Sequence, residues 1–428
     1  KLLPLLLSPS ISTLAERDPL VGEAAERALA PIGESAPIRL VLPPAAKWYQ
    51  AAITGGLGAI TRLFNLLRRL AAQLKDANQV NQYFKKFLKI YLLAFDLRRL
   101  HSAHFGVTPE GTNPDGGIPV VPKSGIDQAE DAVIEAYVAM VMKLTETQLL
   151  QVFLAAIQWA SLLHSTNTPA NKKRKTDERK GGESGTETLV KADPKRTVTV
   201  LRVACHLERK LGPIFTPYLG HVAEHVVMAL GYMEGSVKKG SGKRGRKRKA
   251  ASNSEDNDNE EFSGECVPRD MARAAVAVLK EWVINDPDHT FDKTRLNRFC
   301  NPLVDLLERA LEWSKDDTEY QVFVDNELAP SLVAVCAHLE DNNLWKTLNH
   351  AVMTKGESPH AKVRCSAVGI IKSFYDKIGE EFLVLLPETV PFISERMEDP
   401  DENVEAATQE LIAVVEKLSG EDLDSYLR

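Results

Sequence analysis

The sequence predicts an all-α fold, an α-solenoid built by stacking antiparallel helix pairs. Two observations carry that expectation. Apolar residues recur at helical spacing along most of the 428 residues, and no stretch alternates with period two for long. Near the carboxyl end, a helical pattern also repeats itself at a fixed offset. Hydrophobic residues make up 44% of the chain and charged residues 26%, an ordinary globular balance that supports a large core.

Taken in order, the first element opens at Asp18-Pro19-Leu20-Val21 and carries Ala24, Ala25, Ala28 and Leu29. Trp48 to Leu74 is apolar with scattered Arg. Val80 to Leu100 places Phe84, Phe87, Leu88, Tyr91, Leu92 and Phe95 on a helical stripe. Gln128 to Leu163 reads as two helices with a break near Thr145-Glu146-Thr147. Thr197 to Met233, Arg269 to Asn285, Phe291 to Trp313 and Val322 to His338 continue the helical pattern.

The C-terminal passage is the clearest. Val363, Ala367, Ile370, Ile371, Phe374 and Ile378 form one stripe, and Gly379 stops the helix. The next stretch holds Phe382, Leu385, Leu386, Phe392 and Ile393. Pro387 and Pro391 predict that it is kinked or in two pieces. Asp399-Pro400-Asp401 then opens a third helix with Val404, Ala407, Leu411 and Val415. An offset of 41 maps Val363 to Val404, Ile370 to Leu411, Ile371 to Ile412 and Phe374 to Val415. The same offset maps Gly379-Glu380-Glu381-Phe382 to Gly420-Glu421-Asp422-Leu423. A period of about 40–47 residues made of helix pairs is the HEAT/armadillo signature. One such pair cannot bury its apolar stripe alone, so neighbouring pairs stack and share a core.

Three insertions interrupt the helices. Residues 104–125 are rich in Gly and Pro. Residues 165–194 contain Lys172, Lys173, Arg174 and Lys175. Residues 234–265 contain Lys243, Arg244, Arg246, Lys247, Arg248 and Lys249, followed by an acidic tract with Glu255, Asp256, Asp258, Glu260 and Glu261. The last two insertions are poor in apolar residues and are expected to be disordered when free. Clustered Lys and Arg neutralise phosphates or serve as nuclear-import signals, so both runs are candidate nuclear-localisation or RNA-contacting sites. The bland alternative is a solvated linker. The acidic tract can screen the second run or bind a basic protein.

Other classes find little support. The net charge of −6 argues against polyanion binding by bulk charge. No run of about 18 apolar residues exists, and Lys1 to Leu7 is too short for a span, so a soluble protein without a membrane partner is expected. The absence of an initiator Met predicts a fragment or a processed chain. Cys205, Cys266, Cys300, Cys336 and Cys365 are odd in number and widely spaced, which fits reduced core thiols. His221 and His225 lie four apart, but the zincin order is absent and no third ligand is evident, so core or surface roles are expected. Gly240-Ser241-Gly242-Lys243 lacks the spacing of a phosphate loop. No catalytic constellation stands out, so neither an enzyme, a cofactor, a metal nor a small-molecule substrate is expected. The five Trp sit mostly in apolar helical contexts, as core residues do.

Specific runs carry a family resemblance. Trp345-Lys346-Thr347-Leu348-Asn349 is followed by Lys362-Val363-Arg364. Then come Lys377-Ile378-Gly379-Glu380-Glu381-Phe382, Leu385-Leu386-Pro387-Glu388-Thr389-Val390-Pro391-Phe392, Met397-Glu398-Asp399, Asn403-Val404-Glu405 and Gly420-Glu421. Upstream, Phe95-Asp96-Leu97-Arg98, Val141 to Thr147, Gln158-Trp159-Ala160 and Phe215-Thr216-Pro217-Tyr218 agree. From about Ala45 onward the chain resembles the C-terminal end of the large HEAT-repeat proteins of the small-subunit processome, those associated with U-three small nucleolar RNA. The long linkers and Lys355-Gly356-Glu357 depart from the pattern.

The resemblance implies a non-catalytic nucleolar scaffold of early ribosome assembly. Its partners would be other processome proteins, pre-ribosomal RNA and the U-three particle. It also implies three regions: residues 1–44 ending a preceding set of repeats, residues 45–340 forming a family-specific helical region, and residues 341–428 forming C-terminal HEAT repeats. A HEAT-type nuclear transport receptor is the alternative. Such receptors are usually acidic along their inner face, whereas this chain is near neutral outside its linkers.

Overall fold

The computed structural model describes residues 19–105, 125–161, 193–232 and 267–423. Among them every regular element is helical. One row of helices runs through the whole molecule. It comprises α1 (Pro19–Ser35), α4 (Leu57–Ala72), α7 (Gly125–Val141), α9 (Pro194–Leu211), α11 (Val267–Ile284), α15 (Ala329–His338), α17 (Ala361–Ile378) and α19 (Glu402–Ser419). Each packs against the next in this series. The remaining helices form a second row: α2 (Ile38–Lys47), α3 (Tyr49–Gly55), α5 (Ala77–Ala94), α8 (Glu146–Ser161), α10 (Ala223–Leu230), α12 (Lys293–Val304), α16 (Asn342–Thr354) and α18 (Leu386–Met397). Short helices α6 (Leu97–His101), α13 (Leu306–Trp313) and α14 (Asp317–Phe323) link them.

The 41-residue repeat is built as the sequence predicts. Val363, Ile370, Ile371 and Phe374 are buried in α17, and Val404, Leu411 and Val415 are buried in α19. Ile412 is only half-buried, so one of the four equivalences is weaker. Gly379 and Gly420 follow the two helices with φ of 80° and 71°. Gly420 is left-handed helical with ψ 9°, and Gly379 is extended with ψ −144°; only a residue without Cβ takes either positive-φ conformation cheaply. The intervening stretch is in two pieces: a 3-10 segment, Gly379–Leu385, and then α18 with Pro387 in its first turn. Asp401 caps α19 by accepting from the Asn403 N–H at 3.0 Å.

Several boundaries differ from the sequence expectation. Within Trp48 to Leu74, Gly56 at φ 85° separates α3 from α4. Thr197 to Met233 contains two 3-10 segments, Gly212–Ile214 and Thr216–Val222, where Pro213 and Pro217 interrupt the α pattern. The helix read from Val322 begins at Asp317 and includes a π turn over Val324–Leu328. In α1 the buried positions are Gly22, Leu29 and Gly33, while Ala24 and Ala28 face solvent. Its stripe is therefore displaced from the one read off the alanines.

One core runs from Leu29 to Leu423. Within its first half the aromatic rings form a ladder across rows. Tyr49 and Phe64 centroids lie 6.3 Å apart, Phe64 and Tyr91 6.2 Å, Tyr91 and Tyr137 5.7 Å, Tyr137 and Phe95 5.2 Å, and Phe95 and Trp159 5.7 Å. Such pairs each add about 0.5–1.5 kcal/mol beyond area burial. The ladder locks α3, α4, α5, α7 and α8 together. Trp282 and Trp345 are buried, and Trp48, Trp159 and Trp313 are half-buried, as core residues should be.

Candidate interaction edge and its ion network

All three insertions occupy the same topological place. Each leads directly into a first-row helix: between α6 and α7, between α8 and α9, and between α10 and α11. The ten basic candidates, Lys172 to Lys175 and Lys243 to Lys249, lie outside the described residues, as does the acidic tract. Their attachment points are described. Phe105 is buried at the end of the first stem. Asp193 caps α9, accepting from the Lys195 and Arg196 N–H groups, and Pro194 opens the helix. The stretch read as an insertion over 165–194 thus gives up its last two residues to α9.

A buried ion network holds these entry points together. Arg98 in α6 is 1% exposed. Its guanidinium donates to Glu130 at 2.9 and 3.1 Å, to Asp270 at 2.8 Å and to Asp127. Asp127 and Glu130 begin α7, and Asp270 begins α11. From α9, Arg202 donates to Asp127 at 2.7 Å and to Asp131 at 2.8 Å, and Thr199 donates to Glu130 at 2.7 Å. Arg196 joins Asp96 through two bonds of 2.8 and 2.9 Å, reaches the Trp159 carbonyl at 3.0 Å, and lies 4.8 Å over the Trp159 ring. That last set of contacts closes the stem of the second insertion.

The electrostatics follow from this enclosure. Burial works against the charge on Arg98, but Glu130, Asp127 and Asp270 outweigh it and raise its pKa further. Burial is the larger influence on Asp270 and raises its pKa, although Arg98 opposes the shift. Acidic groups in the first turns of α7 and α11 also face the positive ends of their helix dipoles. Three carboxylates around one guanidinium are what let the Arg98 charge stay buried.

Beside the network is a cleft of about 180 Å³ between α7, α9 and α11. Its cations are already engaged: Arg202 with Asp127 and Asp131, Arg209 with Glu281, and Arg273 with Glu327. No group of three potential metal ligands occurs among the described residues. His221 is exposed, while His225 is buried beside Ser161 at 3.4 Å, its pKa lowered by burial. The two do not converge. Cys205, Cys300 and Cys336 are buried, Cys365 is half-buried, and all four are free thiols. Burial raises the Cys205 and Cys300 thiols to about 11, so both stay protonated at neutral pH. No described helix is long and apolar enough to cross a membrane.

Sequence reasoning missed the network. The available signal was a charged residue on an otherwise apolar face, such as Glu130 among Ala129, Val133, Ile134 and Tyr137.

A two-row helical array with a shared core and a 41-residue repeat is a HEAT-type α-solenoid. The chain belongs to the BP28CT (NUC211) domain family, whose pattern matches residues 79–291 and so takes in the whole Arg98 network. It is 25% identical to HEAT repeat-containing protein 1 of Danio rerio over 91% of this chain and 16% of that protein. It is 28% identical to U3 small nucleolar RNA-associated protein 10 of Aspergillus niger over 71% of this chain and 15% of that protein. The chain therefore spans about one-sixth of the length of these relatives. Among solved structures, Kap121p bound to Nup53p matches 98% of this chain with 38% of its own, at a TM-score of 0.50 and 11% identity. That is a likeness of fold alone.

Proposed function

We propose that this chain is a non-catalytic scaffold of early ribosome assembly, acting in the nucleolus within the small-subunit processome. The observation that carries the reading is the family membership, together with the similarity to a U3 small nucleolar RNA-associated protein. The solenoid supplies long faces for other processome proteins, with affinity spread over many modest contacts. The basic runs Lys172 to Lys175 and Lys243 to Lys249 hang from the edge that the Arg98 network organises. They add salt-sensitive attraction to pre-ribosomal RNA or a nuclear-import signal. In this reading residues 45–340 form the region that presents the insertions, and residues 341–428 form the terminal repeats.

Purification of the tagged protein from cells tests this. Pre-ribosomal RNA, U-three RNA and processome subunits should copurify. Deleting residues 165–194 and 234–265 should weaken RNA crosslinks while leaving protein partners bound. Recovery of Ran and transport cargo without these components would establish the transport-receptor alternative instead.

A further inference from the structure

A second concavity lies in the first repeats, between α2 and α5. Helix α2 packs against α4, and α5 packs against α7. A groove of about 510 Å³ opens between the two second-row neighbours α2 and α5. Its apolar lining comes from Leu42, Pro43 and Ala46 on one side and Ile90 and Leu93 on the other. Leu93 is 55% exposed. Arg39, Lys86 and Lys89 also line it, and no carboxylate does.

The charge around this groove is one-sided. Between Ala36 and Phe95 the sequence has nine Lys or Arg and a single carboxylate, Asp76, in a chain whose net charge is −6. Arg68 and Arg69 are paired with Glu135 and Glu34. Arg39, Lys86 and Lys89 are exposed, and no ion pair among the described residues engages them. Hydrocarbon therefore lines the groove, and unneutralised cations flank it.

We propose that this groove docks an acidic amphipathic helix of a partner protein. The α5 stripe from Gln82 to Leu93 is about 16 Å long, the length of three helical turns. Apolar residues at i, i+3 or i+4 and i+7 of the partner fill the lining, and Asp or Glu on its flanks meet Arg39, Lys86 and Lys89. Single-stranded RNA fits less well. It uses exposed aromatic faces for base stacking, whereas Tyr83 is buried and Lys86 lies over its ring at 5.4 Å. The inference stands whether or not the chain works on pre-ribosomal RNA.

The test is fluorescence anisotropy on the whole 428-residue chain. The probe is a labelled 16-residue helical peptide with Leu on one face and Glu on the other. Controls replace every Glu by Lys, or every Leu by Ser, and a labelled oligouridine tests RNA. The acidic peptide should bind. Both control peptides should bind at least tenfold more weakly. K86E/K89E should weaken the acidic peptide at least tenfold, and L93S about fivefold. Hydrogen exchange on the unmodified protein should show peptide-induced protection at residues 38–47 and 82–93, independent of any variant's folding. Absence of acidic-peptide binding, or protection elsewhere, overturns the proposal. So does oligouridine binding that K86E/K89E abolishes while the acidic peptide fails to bind.

Discussion

Arg98 Nη1 donates to Asp270 Oδ2 at 2.8 Å, and 172 positions separate the two residues in sequence. All three insertions fall between them. The same guanidinium holds Asp127 and Glu130, so one side chain ties α6, α7 and α11 across every long interruption of the solenoid. The tie offsets part of the loop-closure entropy that each insertion adds to the docking of the next helix.

Removing Arg98 is therefore expected to be severe. R98A or R98M leaves three buried carboxylates without their common partner and should cost on the order of 3–5 kcal/mol. R98K should rescue little, because an ammonium cannot span the same set of acceptors in one plane. Denaturant titration measures the loss. Hydrogen exchange should place it first at the starts of α7 and α11. Uniform loosening that spares these segments would contradict the assignment.

Glu208 predicts a pH dependence. It is buried, Thr216 Oγ1 donates to its Oε1 at 2.6 Å, and its Oε2 has no partner. Burial, with Glu281 and Asp286 nearby, raises its pKa to about 7. The folded state thus holds this proton more tightly than the unfolded chain. The favourable contribution is complete below the ordinary carboxylate range and is lost as pH rises through about 7. E208Q should be more stable than the parent at pH 8.5, by on the order of 1–2 kcal/mol, and nearly equal at pH 4. Melting curves of both proteins across that range check the difference.

Asp399 predicts the opposite sign. Arg364 grips it with bonds of 2.8 and 2.7 Å, and the Asp401 N–H donates to it at 3.0 Å. The hydrogen bonds from Arg364 are the largest cause of its lowered pKa. Its contribution is present above the unfolded carboxylate pKa and disappears as pH falls through the lower folded value. D399N should cost roughly 2 kcal/mol at pH 7, and the cost should shrink as the pH falls through the folded-state value. A double-mutant cycle with R364A should show the two changes to be strongly non-additive.

How legible these features were depended on range. The C-terminal repeat could be read because its determinants are local: the stripe from Val363 to Phe374, the Asp401 cap and the terminal glycines all act within one helix. The Arg98 network could not, because its acceptors arrive from 29, 32 and 172 positions away. Arg98, followed at once by Arg99, looks the same in sequence whether it is buried or solvated. The excess of positive charge around Lys85, Lys86 and Lys89 was visible in the residues. The groove beside it was not, since it forms only where tertiary packing on the first row sets α2 and α5 side by side.

The glycines of the terminal repeat offer a matched comparison. Gly379 ends α17 at φ 80°, where an added Cβ meets no neighbour within 4 Å. Any penalty for alanine there is conformational, not steric contact with the rest of the protein. Its ψ of −144° puts it in a region that is essentially glycine-only, so G379A should destabilise by about 1–3 kcal/mol. Gly369 lies inside α17, also with nothing within 4 Å of an added Cβ, and its φ is not positive. There alanine removes unfolded-state freedom and strengthens the helix, so G369A should stabilise by about 0.5–1 kcal/mol. Denaturant midpoints moving in opposite directions for the same chemical change, ten residues apart on one helix, would establish that backbone conformation ends α17. Equal shifts would mean that the helix end is set by packing of Phe382 against Phe374 and Tyr375, whose ring centroids lie 5.9 and 4.9 Å from it.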